Sequence, residues 1–410
     1  MRLNVSSMLE CLQNQTASDN LYIQQSLDDY GDAVLEEDEF HETTNPIMDK
    51  TLLDAGAEGF RVLTNFTPEE FEVIWGNAES AMTSRWNDGR GRKSATSAKD
   101  AFFVTLTVMK HYQTWEKHAV DFGLKAPTLE KLVVKVVGVC SKLLYACFVS
   151  LHRMTTLRSK DKVFTHYPYA LYATDVKFQP AHRPSGRFGE QKHYFSGKHK
   201  LYGFKIEASV SPEGLLVDMS PHEPGSVSDL TMFRSRLDQH TQALAKDDYD
   251  DTINDNGKLF REHPTSWAVL VDKGYIGVAA SAHRFDMDRN KEVSSDRVVV
   301  ENFFGRVCSL WKVSYATFVW GEKLYDDIQR FTFALTNFHA TLMPLRLEDN
   351  DHYRAVMARY KSMAAENTSK RAANQRRYLQ RRAERFATEA ARASRTSRGT
   401  FLSPMVSGRR

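Results

Sequence analysis

The sequence has few cysteines, and their spacing builds no metal-binding or disulfide framework. The 410 residues include only Cys11, Cys140, Cys147 and Cys308, and no two of these form a CxxC pair. This spacing argues against both a zinc knuckle and a disulfide-stapled secreted domain. It is typical of a chain that works in a reducing compartment.

Long apolar runs are also missing. The longest, residues 132–151, is interrupted by Lys135 and Lys142, and the N-terminus has no hydrophobic secretory segment. Because a membrane-spanning helix needs about 20 consecutive apolar residues, these features argue against a membrane or secreted location. A hydrophobic content of 41% still allows a sizeable core, so the length predicts a catalytic unit with appended segments.

Basic residues are scarce at the start of the chain and abundant at its end. Residues 1–50 hold 11 acidic side chains, against Arg2 and Lys50 as the only bases. Residues 351–410 carry 15 Lys and Arg against 4 Asp and Glu, although the net charge of the whole chain is only +3. We interpret residues 1–60 as an acidic, mostly disordered leader and residues 350–410 as a basic, Arg-rich tail.

The basic tail predicts a location and a partner. Its paired bases resemble nuclear targeting clusters and occur at Lys370/Arg371, Arg376/Arg377 and Arg381/Arg382. The same charge would bind DNA without sequence preference. We therefore expect a nuclear protein, with a solvated tail that has no partner as the alternative.

Residues 61–160 have a helical pattern. Thr67 is a good N-cap, because Pro68 fits the first helical position and Glu69 and Glu70 favour the positive end of the helix dipole. A second helix is predicted to begin near Ala98.

The stretch 114–137 fits a helix-turn-helix. A short helix ends at Gly123, and another begins at Thr128. In a DNA-binding helix-turn-helix the second helix enters the major groove. Here it offers only Lys131 and Lys135 as basic contacts, so a plain helical hairpin is the alternative.

The pattern of residues 165–345 predicts a mixed sheet with helices packed on it. Tyr167–Pro180 has the aromatic and β-branched residues of a strand, with Asp175 in its interior. The stretches HKLYGFKIEASV and GLLVDMSP, joined by the turn SPEG, make three consecutive antiparallel strands. A helix with Asp229 in its first turn then leads to a fourth, buried strand, Trp267–Val271.

A helix from Ser295 closes this unit. Its apolar residues recur at three- and four-residue spacing and are Val298, Val299, Phe303, Val307 and Leu310. Beside this face, Arg297 and Glu301 lie one turn apart.

Three carboxylates are predicted to converge in this arrangement. Asp175 and Asp272 would lie on neighbouring strands near the sheet centre, and Glu301 would reach them from the covering helix. At about 4 Å, two such charges repel by roughly 4 kcal/mol, so the cluster needs cations. Oxygen ligands without nearby Cys or paired His select Mg²⁺ or Mn²⁺, and two such ions suit in-line displacement at phosphorus. The alternative is that Asp272 caps a turn and Glu301 pairs with Arg297 on a solvated surface.

Six sequence blocks extend over about Tyr167–His339, in the order ATDVKFQP, SGKHKLYGFK, PGSVSDLTMF, VDKGYIG, SSDRVVVENFFGR and FALTNFH. In this order they resemble the blocks of the PIF/Harbinger transposases and domesticated nucleases of the DDE superfamily. The resemblance implies an RNase H-like core that cuts DNA with divalent metals, preceded by a helix-turn-helix region. It places the catalytic triad on Asp175, Asp272 and Glu301, and a further metal ligand on Asp229. The alternative for Asp229 is a helix N-cap.

The resemblance also implies a DNA-binding surface. The family's basic block falls on Lys198, His199, Lys200 and Lys205, which suit phosphate contacts; a solvated edge is the alternative. Arg297 would orient the catalytic glutamate or meet a phosphate, with a structural ion pair as the alternative. DNA is the expected partner. A separate DNA-binding partner protein and a homo-oligomer remain open.

One departure from the family lies between Asp272 and Glu301. Only 28 residues separate them, fewer than is usual in this group, and the expected Pro- and Lys-rich segment is shortened. We predict a metal-dependent DNA endonuclease or transposase, with a domesticated, catalytically inactive DNA-binding protein as the alternative. A phosphohydrolase acting on small molecules is disfavoured by the basic tail.

Overall fold

The computed structural model describes residues 44–88, 93–257, 260–272 and 292–344, together with residues 376, 377 and 380. Most of the predicted leader, the segment after Asp272 and nearly all of the basic tail therefore lie outside the described residues. What the sequence predicts for those three regions stays a prediction.

A helical bundle precedes the sheet. Within the described ranges its helices are α1 Pro46–Thr64, α2 Pro68–Trp86, α3 Ala98–His111, α4 Trp115–Asp121, α5 Ala126–Phe148 and α6 Met154–Ser159. The first of them starts inside the predicted leader, and its Met48 and Phe60 are buried in the bundle. As predicted, Thr67 is the N-cap of α2, where it forms a capping box with Glu70.

The predicted turn at Gly123 exists, but the helix after it is longer than expected. Gly123 has a φ of 63°, a left-handed conformation that glycine adopts without strain. The following helix, α5, runs for 23 residues and packs against α2, α3 and α4. One of its two predicted DNA contacts, Lys135, instead donates to the backbone carbonyl of Trp86. A helix-turn-helix that reads DNA therefore stays a prediction.

The sheet is mixed, as predicted. Its described strands are β1 Ala170–Pro180, β2 Phe195–Ser196, β3 Leu201–Val210, β4 Leu216–Met219, β5 Glu223–Pro224 and β6 Ala268–Leu270. The order is β2-β3-β1-β6, and β4 and β5 also pair with β3. Strand β3 is antiparallel to β1 and β4, whereas β6 is parallel to β1. The three antiparallel strands and the fourth strand of the sequence prediction are confirmed, and the structure shows that the fourth strand is parallel to β1.

Helices lie among and beside these strands. They are α7 Phe188–His193, which the sequence did not predict, α8 Asp229–Ser235, α9 Leu237–Leu244, α10 Glu292–Leu310 and α11 Tyr325–Leu342. None of the helices in the described part of the chain is long and apolar enough to cross a membrane.

The two faces of β1 have different partners, because side chains alternate along a strand. On one face, the hydroxyl of Tyr172 lies 2.9 Å from Nδ1 of His240, which belongs to α9. On the other face, to which Asp175 also points, Oε1 of Gln179 accepts a 3.0 Å hydrogen bond from the hydroxyl of Tyr325 on α11. The candidate carboxylate of β1 therefore lies on the face opposite α9.

The apolar face of α10 is shifted from the one predicted. Val298 is 40% exposed, while its neighbours Val299 and Val300 are buried together with Phe303 and Val307. The spacing alone allowed either Val298 or Val300, and packing against β1 and β3 selects Val300. The inclusion of Val298 in the core was wrong.

Asn337 joins α11 to the sheet and to the bundle. Its Oδ1 accepts from the N–H of Leu216 at 2.7 Å, and its Nδ2 donates to the carbonyls of Leu216 at 2.8 Å and Phe148 at 3.0 Å. One buried amide thus serves the start of β4 and the end of α5 at once. Such a side chain is hard to replace, because its partners would be left without hydrogen bonds inside the protein.

We predict that Asn337→Ala lowers the free energy of unfolding by about 3 kcal/mol, because the backbone groups of Leu216 and Phe148 lose their partners in the interior. Urea unfolding followed by far-UV circular dichroism measures the change. The matched control is Asn77→Ala, since the side chain of Asn77 is exposed on α2 and bonds within its own helix. Equal effects of the two changes would contradict the role of Asn337.

A second prediction concerns acid. Burial lowers the pKa of His118 to about 4, and burial together with the nearby Arg306 does the same for His339. Both imidazoles are neutral in the folded chain, whereas in the unfolded chain they gain a proton below a pKa of about 6.5. Stability should therefore fall as the pH drops from about 6.5 towards 4, and less steeply in His118→Gln. Unfolding free energies measured across this range test the prediction. A slope unchanged from wild type in His118→Gln, or one reduced equally by the exposed control His193→Gln, would refute it.

Candidate active site

Strands β1 and β6 place Asp175 and Asp272 side by side. The parallel register pairs Ala173 with Leu270, and each aspartate follows its member of that pair by two residues. Because side chains alternate, both carboxylates point to the same face of the sheet. Asp175 is half-buried within its strand, while Asp272 lies just beyond the end of β6 and is exposed.

Helix α10 brings two more charges to this face. It packs across β1 and β3, and it carries Arg297 and Glu301 four residues apart. The side chain of Arg297 is only 12% exposed, whereas that of Glu301 is 61% exposed. The arginine therefore lies beneath the glutamate, between the helix and the sheet.

All three carboxylates contact the guanidinium of Arg297. Its Nη1 lies 2.7 Å from Oδ1 of Asp272, and its Nη2 lies 3.4 Å from both Oδ2 of Asp175 and Oε1 of Glu301. The sequence pattern had joined Arg297 to Glu301 alone. The structure instead makes this arginine the common partner of an acidic centre, which we define as Asp175, Asp272 and Glu301.

Burial and charge act in opposite directions on Asp175. Burial raises the pKa of its carboxyl, while the Arg297 guanidinium and the backbone N–H of Val176, 2.8 Å from Oδ1, lower it; the net direction is upward. The charge of Asp272 adds to the rise. A cation at this place therefore stabilises the ionised form of Asp175.

The acidic centre has the right kind of ligand atoms for a divalent cation, but the spacing of its oxygens does not suit one. Carboxylate oxygens are what Mg²⁺ and Mn²⁺ prefer. Within the described residues, however, no group of three or more His, Cys, Asp or Glu side chains is arranged to hold a metal ion. The nearest oxygens of Asp175 and Glu301 each lie 3.4 Å from one guanidinium nitrogen, whereas Mg²⁺ needs ligands at about 2.1 Å.

The comparison with protein families agrees with this geometry. Residues 172–337 match the model of the DDE superfamily endonucleases. The match covers about two fifths of the chain and includes all three members of the acidic centre. Comparisons with curated proteins and with solved structures give no match. The family match supports a transposase-like nuclease activity for this part of the chain.

Asp229, the fourth acid of the DDE resemblance, pairs with Lys205 and not with Arg297, and its charge adds to the rise in the pKa of Asp175. The N-cap of α8 is Ser228, whose hydroxyl accepts from the N–H of Thr231, so Asp229 is not the cap. Its Oδ1 instead lies 2.9 Å from Nζ of Lys205. Because β3 pairs Ala208 with Asp175, a residue three positions away such as Lys205 points to the opposite face.

The basic block is divided between two environments. Lys205 is 6% exposed, and its ammonium also donates to the carbonyl of Val227 at 2.7 Å, which differs from the solvent-facing position expected for a phosphate contact. Lys198, His199 and Lys200 lie in the exposed turn between β2 and β3. This turn keeps the predicted access to solvent.

The basic turn has a defined shape. The ring of His199 stacks on Phe178 with centroids 4.4 Å apart, and Lys200 adopts a φ of 57° while its N–H donates to the carbonyl of Ser196. Phe178 follows Asp175 by three residues, so the stacked pair lies on the other face of the sheet. The structure therefore does not bring the basic turn together with the acidic centre.

Lys177 on β1 and Glu207 on β3 are charged side chains that the sequence analysis missed. Lys177 points to the same face as Asp175 and donates to the carbonyl of Ser314, and burial lowers the pKa of its ammonium. On the opposite face, Glu207 is fully buried and pairs with Arg236 at 2.8 Å and His240 at 3.0 Å. The available signal was the alternation of polar residues along β1 and β3, which marks faces that are covered by polar partners.

We predict that Asp229→Ala lowers the free energy of unfolding by about 1–3 kcal/mol, because it removes the carboxylate that pairs with a buried ammonium. The double variant Lys205→Met/Asp229→Ala should recover most of the loss. Chemical denaturation measures both, and Asp121→Ala, which removes an exposed pair with Lys117, is the control expected to change stability by less than about 1 kcal/mol. Unchanged stability together with weakened Mn²⁺ binding in Asp229→Ala would instead make Asp229 a metal ligand.

Proposed function

We propose that the chain is a metal-dependent DNA endonuclease of the PIF/Harbinger type that acts as a transposase. The observation that carries the proposal is the convergence of Asp175, Asp272 and Glu301, from three separate elements, on the guanidinium of Arg297. The match of residues 172–337 to the DDE endonuclease model supports it. As part of this proposal, the mixed sheet and its flanking helices form an RNase H-like domain.

The proposed roles follow from the environments of the three carboxylates. Bound Mg²⁺ or Mn²⁺ would supply the Lewis-acid chemistry for in-line displacement at phosphorus. Asp175, held by the Val176 N–H at the base of the site, fixes the position of the centre. Asp272 and Glu301 are more exposed and would complete the ligand set on the solvent-facing side of the centre. Cleavage at a transposon end leaves a 3′-hydroxyl, which the same centre would direct at target DNA.

Contacts to DNA are assigned to residues outside the acidic centre. The exposed turn of Lys198, His199 and Lys200 suits the phosphate backbone, since such contacts position a duplex without reading its sequence. The Arg-rich tail adds affinity that falls with salt, and its paired bases direct the chain to the nucleus. Sequence-specific recognition is left to the helix-turn-helix region or to a separate DNA-binding protein.

A second candidate function is a DNA-binding protein that descends from a transposase and no longer cleaves. One observation favours it. Across the described ranges no set of acidic, His or Cys side chains has metal-binding spacing, and Arg297 contacts all three carboxylates of the acidic centre. This candidate shares the fold and the DNA contacts, so only the chemistry separates the two.

We predict that the full-length protein nicks supercoiled plasmid in Mn²⁺ or Mg²⁺, and that Glu301→Gln reduces nicking to background while DNA binding is kept. The change removes one ligand charge from an exposed helical position, so it should leave the fold intact. Gel assays of nicking and of DNA mobility measure the two properties. The matched control is Glu72→Gln, since Glu72 is also a helical, exposed glutamate in an ion pair, with Lys99.

Three outcomes separate the candidates. Nicking by wild type and Glu72→Gln but not by Glu301→Gln supports the endonuclease. DNA binding without nicking in any of the proteins supports the inactive descendant. Equal nicking by all three would refute the assignment of Glu301.

A further inference from the structure

The acidic centre already contains a cation. Its three carboxylates carry a formal charge of −3, and the guanidinium of Arg297 lies within 3.4 Å of each. Arginine stays protonated at any physiological pH, so this positive charge is permanent. Among the described ion pairs, this guanidinium has more carboxylate partners than any other.

Arg297 makes these contacts with its two Nη atoms, while its Nε has no partner. Its side chain is 12% exposed, and its Nε is buried without a hydrogen-bond partner. A surface arginine would turn this N–H towards water. Here packing between α10 and the sheet fixes the side chain so that both Nη atoms face the carboxylates. The position is therefore imposed by the fold and is not one of many conformations of a solvated side chain.

The guanidinium lies where a metal ion would have to be. Oδ2 of Asp175 and Oε1 of Glu301 are both 3.4 Å from the same Nη2 atom. A divalent cation shared by these oxygens would lie between them at about 2.1 Å from each. One position cannot hold both the nitrogen and the cation.

We propose that Arg297 is a built-in counter-ion of the acidic centre and that a divalent cation binds in competition with it. The proposal rests on the metal-dependent function given above. In the metal-free chain Arg297 suppresses the mutual repulsion of the carboxylates. A cation that entered the centre would replace the guanidinium in its contacts with the carboxylate oxygens. Arg297 thus stabilises the metal-free fold, and it lowers the affinity of the centre for a metal ion.

The test is calorimetric titration of Mn²⁺ into full-length wild type, Arg297→Gln and Arg330→Gln, together with thermal unfolding of each protein with and without Mn²⁺. We expect Arg297→Gln to bind Mn²⁺ about tenfold more tightly or better, to melt at a lower temperature without metal, and to gain more from Mn²⁺ than wild type does. The control, Arg330, pairs with Asp327 at 3.6 Å outside the centre and should behave as wild type.

Arg297→Lys keeps the experiment decisive if Arg297→Gln does not fold. A lysine retains one charge but cannot bridge three carboxylates with two nitrogens, so its Mn²⁺ affinity should exceed that of wild type. Equal or weaker Mn²⁺ binding in the folded variants would overturn the counter-ion role and leave the endonuclease proposal standing. Absence of Mn²⁺ uptake in wild type and in every variant would overturn the metal-dependent function itself.

Discussion

The neutralisation of Asp175 is the constraint on which the rest of this fold depends. A carboxylate in the interior of a central strand loses hydration, and burial raises its pKa. The backbone N–H of Val176 and the guanidinium of Arg297 stabilise the ionised carboxylate. Helix α10 carries Arg297 across the sheet to this position. The packing of that helix is therefore tied to the charge on β1. A helix placed one turn further along would bury the acid without its partner.

The opposite face of the sheet uses the same chemistry for a different purpose. There Lys205 and Glu207 alternate along β3, and each meets an opposite charge from the α8 and α9 region, at Asp229 and Arg236. Lys205 and Glu207 are buried and have their partners at hydrogen-bond distance, so these pairs anchor helices to strands. On the Asp175 face, by contrast, two of three acids remain accessible to solvent. Exposure, more than the number of charges, separates the candidate site from the structural pairs.

The sequence predicted the four main strands along the chain and the neighbouring strands of Asp175 and Asp272, because strand alternation and turn residues are local signals and a helical crossover allows few arrangements. The N-cap at Thr67 followed from one residue and its neighbours. The sequence analysis failed where contacts between residues distant in the chain determine the structure. The length of α5 depends on the helices that pack around it, and the environment of Lys205 depends on α8. The contact of Arg297 with three carboxylates depends on distances between helices and strands. The spacing of residues along the chain does not give these distances.

The separation of the acidic centre along the chain affects how the protein folds. Asp175 meets Arg297 across 122 positions of sequence, and β1 pairs with β6 nearly as far away. Closing such loops is slow, since chain entropy is lost before any contact compensates for it. The antiparallel hairpin of β3 and β4 needs no such closure. During synthesis Asp175 therefore leaves the ribosome well before its counter-ion exists, and the centre cannot form until α10 has been made.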